Sequence, residues 1–215
     1  RVVYEAHAVE SILYRERGAL YGTGDRPQEA KAERLRRREA RVWRRARAFV
    51  ATAAGIRDTF AEQFGPRPGV SVIANGCDVP ADRTFPGLAA ERPPRVLYAG
   101  QLYPWKGVDV LVDAMAQVPG ARLVILGGIP GEPDEARIRA RADALGIAGR
   151  VELRGHVPQA EVARELARAR VVAVPVRRTD MTLRHTSPLK AFEAMAAGRP
   201  IVASDLPSSR EFLRH

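Results

Sequence analysis

The alternation that begins at Pro94 limits what this chain can fold into more than any other feature. Short β-rich runs alternate with amphipathic helical ones: RVLYAG then KGVDVLVDAMAQV, ARLVILGG then PDEARIRARADALG, RVELRG then PQAEVARELARA, RVVAVPV then SPLKAFEAMAAG, and last RPIVASD. The strand runs are continuously apolar, as expected when helices cover both faces of a parallel sheet. This pattern predicts a doubly wound α/β unit over 94–215. Residues 1–80 repeat the style less regularly. VVYEAHA reads as a strand end, 29–48 as a long helix, and AFVATAA as a short strand. GIRDTFAEQFG then reads as a helix and VSVIANG as a strand closed by an Asn-Gly turn. The proline-rich, aperiodic DVPADRTFPGLAAERPP lies between the two. The expected division is therefore an α/β unit over 1–80, a linker over 81–93 and a second unit over 94–215.

Composition narrows the class. A chain of 215 residues, 46% hydrophobic and 28% charged, is globular and long enough for two modest domains. The single cysteine, Cys77, excludes an internal disulfide and fits a reducing compartment, so a cytoplasmic location is expected. No apolar run approaches the roughly 20 residues of a membrane span. Arg1 stands almost at the head of a strand, so the chain reads as a fragment. The net charge of +10 is spread along it, but Glu29–Ala48 is dense, with nine basic and three acidic residues. That helix reads as a solvated face, or as a surface drawn to an anionic membrane at the inner face or to a phosphorylated substrate. Nucleic acid is disfavoured, because Trp43 is its one aromatic where a stacking platform needs several.

In open α/β sheets, ligands bind beyond the carboxyl ends of the strands. Those positions hold GQLYPWKG (100–107), Gly127-Gly128, Gly155-His156, the stretch 177–186 and Ser204-Asp205. Glycines admit a ligand close to backbone, and Lys106 offers a point charge for phosphate. The last long helix reads as capped by Ser187, with Pro188 in its first position and Gly198 past its end. Its free N–H groups suit an anion, and Lys190 in that first turn opposes the dipole unless an anion sits between. Glu193, one turn on, suits a hydroxylated neighbour of that anion, so the pattern fits a nucleotide's phosphate and ribose. The alternative for Glu193 is a simple Lys190–Glu193 surface pair. Neither a dinucleotide Gly-x-Gly-x-x-Gly nor a P-loop motif is present.

GQLYPWKG (100–107) and HTSPLKAFEAMAAGRPIVAS (185–204) resemble the donor-domain motifs of GT-B glycosyltransferases, specifically retaining family 4. VVYEAHA, FVATAAGIRDTF and VSVIANGCDV resemble the family's first domain and hinge, so the resemblance covers nearly the whole chain. It implies two Rossmann-like units, with the acceptor-side domain first and the nucleotide-sugar domain second. It implies metal-independent transfer with retention, from a UDP- or GDP-linked sugar to a carbohydrate or lipid-linked acceptor, without a cofactor. By this resemblance Lys106 neutralises the donor diphosphate and Glu193 binds the ribose. Gly100, Gln101, Ser187, Leu189 and Lys190 line the phosphate and sugar, His156 and Val157 meet the base, and His7 faces the sugar. The alternative for His7 is a histidine packed at a strand end, and Asn75 and Asp78 belong to the hinge. Gln101 replaces the family's arginine, and His185 replaces the first glutamate of its Glu-x7-Glu, which the resemblance places against the donor sugar, so His185 is expected among the substrate-binding residues. Those two departures support a second class of function, a non-catalytic domain that binds nucleotide-sugar or an anionic surface. The resemblance also places the family's glycine loop before Arg1 and its closing helices after His215.

Overall fold

The computed structural model describes residues 2–22, 26–79, 92–129 and 131–213. In chain order the elements are β1 (Val3–Ala6), α1 (Glu10–Leu20), α2 (Arg26–Arg45), β2 (Ala48–Ala51), α3 (Ala54–Phe64) and β3 (Val70–Val72). Then follow β4 (Arg95–Ala99), α4 (Val108–Ala116), β5 (Arg122–Leu126), α5 (Pro133–Ala144), β6 (Val151–Leu153), α6 (Gln159–Arg168) and β7 (Val171–Val174). Last come α7 (Asp180–Arg184), α8 (Leu189–Ala196), β8 (Ile201–Ala203) and α9 (Pro207–Arg210).

Two compact units emerge, and their boundaries differ from those expected. The first comprises 1–75, 178–187 and 205–215, and the second 76–177 and 188–204. This partition differs from the expected boundary at 80 and from an unbroken 94–215 unit. The expected linker, 81–93, lies outside the described residues except for Arg92 and Pro93. The reason for 178–187 joining the first unit is chemical. Glu16 accepts from Thr179 Oγ1 at 3.0 Å and from Met181 N at 2.8 Å, and Arg184 forks onto Glu62 at 2.6 and 2.9 Å. Ser208 donates to the Thr182 carbonyl at 2.6 Å, tying α9 to α7.

The first unit carries a parallel sheet of order β1-β2-β3. Its core joins Ala6, Trp43, Phe49, Ile56 and Phe60, with Trp43 set edge-on to Phe49 at 4.8 Å. In α2 the buried positions Ala32, Glu39 and Trp43 follow helical spacing and face inward. Glu39 is buried because the Ser11 hydroxyl donates to it at 2.6 Å, which fastens α1 to α2. Arg67 closes the far end of α2, donating to the carbonyls of Trp43 and Ala46.

The second unit is a parallel five-stranded sheet of order β6-β5-β4-β7-β8. In β5, Leu123 and Ile125 enter the core under α4 and α5, while Val124 and Leu126 enter the core under α6 and α8. Two buried faces explain the continuous apolar run. From β4 the chain builds outward through β5 and β6, then returns to place β7 on the other side of β4. The carboxyl ends of β4 and β7 are thus the switch point, where such sheets take their ligands.

Candidate functional site

The loop after β4 is held in one shape from several sides. The Tyr98 hydroxyl donates to the Gln101 carbonyl at 2.6 Å, and Arg137 donates to the Leu102 carbonyl at 2.8 Å. Tyr103 stacks on Trp105 at 4.7 Å, and the Arg177 N–H, just past β7, donates to the Trp105 carbonyl at 2.9 Å. Pro104–Lys106 then forms one 3₁₀ turn that ends on Gly107 at φ +68°. A side chain at Gly107 would place its Cβ 1.8 Å from the Pro175 carbonyl oxygen. Glycine after Lys106 is thus what lets the two switch-point loops touch. Gly127 does the same one strand over, where a Cβ would stand 2.1 Å from the Gly100 carbonyl oxygen.

Lys106 is carried on that turn. Burial holds its ammonium below the ordinary lysine value, and it makes no ion pair among the described residues. A partly buried cation at a switch point with no ion pair among the described residues has the chemistry to take an anion. Arg137 and Arg177 both turn to Asp109 instead. Gln101 is exposed.

Helix α8 supplies the second group. It starts at Leu189 with Pro188 as its cap, one residue later than expected and without a side-chain cap. Ser187 is not the cap, because its hydroxyl accepts from Asn75 N at 3.1 Å while Asn75 Nδ2 donates to its carbonyl at 2.8 Å. The N–H groups of Leu189 and Lys190 have no acceptor among the described residues. Glu193 is held from both sides, by Lys190 Nζ on Oε2 at 2.7 Å and Gln159 Nε2 on Oε1 at 3.4 Å. The surface-pair alternative for Lys190 and Glu193 thus describes their geometry in this structure. Glu193 also faces a cleft of about 430 Å³ between α6 and α8, whose other walls include Cys77, Asp78, Gln159, Ala163 and Ala197. Burial, with the charges of Glu193 and Asp78, pushes the Cys77 thiol up. The helix ends as expected, with Gly198 at φ +63° and the Gly198 and Arg199 N–H groups returning to Met195 and Ala194.

The remaining sequence-predicted residues fall in different places. His156 is exposed and Val157 half-buried just beyond β6, where the Gly127 N–H donates to the Gly155 carbonyl at 2.6 Å. His7 is exposed at the carboxyl end of β1, 3.2 Å from Glu5, and is not packed. His185 departs most from expectation. It is buried at 5% exposure in the first unit, its Nε2 2.8 Å from Thr59 Oγ1, with Nδ1 buried and unpaired. In this structure its ring is held within the first unit by Thr59, a partner that the sequence does not announce. Two partners escaped the sequence, Gln159 beside Glu193 and Asn75 beside Ser187, and no local pattern marks either.

These parallel sheets, with a lysine-bearing loop and a helix N-terminus at the second one's switch point, define an α/β protein of GT-B type. The chain belongs to the glycosyl transferases of group 1, whose family model matches residues 93–215. The D-inositol 3-phosphate glycosyltransferase of Xylanimonas cellulosilytica is 36% identical over 145 residues, covering 64% of this chain and 33% of that protein. Its counterpart from Nocardia farcinica is 30% identical over 223 residues, covering 95% of this chain and 46% of that one. The chain thus spans between about a third and about a half of the length of these curated relatives. Among solved structures, Anabaena Alr3699/HepE in complex with UDP-glucose superposes with a TM-score of 0.72 at 24% identity, over 99% of this chain and 56% of that one. Sucrose-phosphate synthase from Thermosynechococcus elongatus does so at 0.67 and 22% identity, over 95% and 50%.

Proposed function

We propose that this chain carries the nucleotide-sugar site of a retaining, metal-independent family 4 glycosyltransferase working on the cytoplasmic side. The observation that carries the reading is Lys106, a partly buried ammonium with no acidic partner among the described residues, set on the switch-point loop. Its charge meets the donor diphosphate, joined by the N–H groups of Leu189 and Lys190 at the head of α8. Glu193, held as an acceptor by Lys190 and Gln159, takes the ribose hydroxyls. Gly100 and Gln101 line the phosphates, His156 and Val157 meet the base, and His7 meets the sugar. In the transfer, the anomeric carbon–diphosphate bond breaks as the bond to the acceptor oxygen forms on the same face. The acceptor proton leaves with the diphosphate. Lys106 and the helix N–H groups stabilise the charge that develops there. The names of the curated relatives support an inositol phosphate as the first acceptor to try, and HepE's UDP-glucose supports a UDP-linked donor.

Thermal shifts with UDP, GDP, ADP and plain phosphate, on the wild type and Glu193→Ala, test the site. Ligand at a hundred times its dissociation constant adds about 2.7 kcal/mol of stability. A base-selective shift lost in Glu193→Ala is expected, whereas equal shifts with phosphate alone would remove the ribose contact. In the intact enzyme Lys106→Ala lowers turnover at least about tenfold, the scale of one lost charge contact. Near-wild-type turnover would end the assignment. Because burial lowers the Lys106 pKa, diphosphate affinity falls as pH rises through that lowered value and the ammonium is lost.

One observation favours a second reading, a domain that binds donor without transferring it. His185 stands where the family has its first glutamate and is turned into the first unit. Nucleotide binding without transfer to any acceptor or water would establish that reading.

A further inference from the structure

We infer that the arginine face of α2 docks on a bilayer of anionic phospholipid, a surface separate from the donor site and independent of it. Arg34, Arg37, Arg38, Arg41, Arg44 and Arg45 are all exposed and fall within about 120° of arc at 3.6 residues per turn. The opposite side of the helix carries the buried Ala32, Glu39 and Trp43, so the cationic face points outward by construction of the core. Toward its carboxyl end the face becomes concave. Arg37, Arg41, Arg44 and Arg45 wall a groove of about 470 Å³ that has Arg36, Gln63 and the half-buried ring of Phe64 on its other sides.

Charge within this groove is not balanced. Glu33 pairs with Arg36 at 3.0 Å and with Arg37 at 3.3 Å, while Arg41, Arg44 and Arg45 make no ion pair among the described residues. Guanidinium forks match phosphate oxygens two at a time, and Phe64 gives the groove an apolar wall of the kind a headgroup's glycerol can lie against.

Three observations choose the occupant. The cationic face continues past the groove through Arg34 and Arg38, a span of about 17 Å at 1.5 Å per residue, which one small anion cannot satisfy. The single aromatic of the helix, Trp43, is 2% exposed, so no ring is offered to a nucleobase. The charge is carried on one straight helix face, and a plane of phosphates is its complement.

The test is sedimentation of the whole chain with vesicles of phosphatidylcholine, with and without one-third phosphatidylglycerol, at low and high salt. Each basic residue near such a surface is worth about fivefold in partition, so Arg41→Gln/Arg44→Gln/Arg45→Gln should weaken binding roughly a hundredfold. All three side chains are exposed, and circular dichroism verifies that the variant is folded. Arg139→Gln/Arg164→Gln/Arg210→Gln removes the same charge elsewhere and should lose less than about threefold if the face is what binds. Equal losses in the two variants would overturn the proposal, as would equal binding to pure phosphatidylcholine. Tighter binding to a single-stranded oligonucleotide than to the vesicles would replace the bilayer with nucleic acid. Complete release by millimolar inorganic phosphate would reduce the face to a site for a free anion.

Discussion

His185 is a base kept away from its proton. Burial, then the neighbouring Arg184 charge, pull its pKa from 6.5 down to about 4, against smaller opposing pulls from Asp180 and Glu62. The unfolded chain therefore binds a proton that the native state refuses anywhere between those two values. Stability is complete above the unfolded value and declines as pH falls toward the folded one, by roughly 3 kcal/mol in all. Urea denaturation at about pH 7.5 and about pH 5 should show roughly 2 kcal/mol of this loss in the wild type and a smaller one in His185→Gln, which can still bond to Thr59. Parallel losses in both would place the acid sensitivity elsewhere. Residues of this sort explain how much of the site could be read from sequence. Gly107 was legible because the turn there takes a positive φ and a close backbone approach that suit glycine, and Lys106 because a lysine stood in a loop after a strand. His185 was not, because the hydroxyl that holds it lies 126 positions away on α3. Ser187 was misassigned for a similar reason, since a distant Asn75 occupies the hydroxyl that would have capped α8.

Among the elements, α6 depends on a charge at its inner face. Glu165 is 2% exposed and gathers Arg95 on β4 at 3.1 Å, Arg154 at 3.0 Å and Arg168 at 3.3 Å. Removing it takes the carboxylate away from Arg95, itself 8% exposed, and from Arg154 and Arg168 at once. Glu165→Ala should therefore cost about 3–5 kcal/mol in urea titration, whereas the more exposed Glu152→Ala should cost under about 1 kcal/mol. A small loss at Glu165 would mean that water or another carboxylate can take over its partners. Periodicity revealed the strands and long helices of the second unit because their inner faces are continuously apolar. It does not mark Glu165 and Glu39, since a glutamate at an inward helical position looks like surface until its partners are known. Helix α1 escaped for the same reason, its buried positions being Ser11 and Gly18 rather than large apolar residues. Helix α7 is only five residues long, too short for a periodic signal, and is stabilised by its own Thr179–Thr182 capping box and by Glu16.

On the scale of the molecule, the first unit is assembled from three separated stretches. Sequence contiguity suggested two successive domains, and nothing local announces that Thr179–Thr186 belongs with α1 and α3. A chain cut after Arg177 keeps both sheets but β8, yet loses Thr179, Met181 and Arg184, the partners of Glu16 and Glu62. Its first unit should melt earlier than in the whole chain, and restoring 178–215 should recover the loss. Hydrogen exchange at β1 and β2 reports this directly, and unchanged protection there would show that 1–75 is complete in itself. The same interleaving bears on birth order. Ribosomes extend chains at about 5–20 residues per second, and domains ordinarily fold as they emerge. Here the sheet β1-β2-β3 is made before residues 178–187 and 205–215, which supply α7 and α9 to the same unit. Until α7 is made, the Glu16 and Glu62 carboxylates lack the partners it brings, and the surface of α1 and α3 that carries them stays open to water.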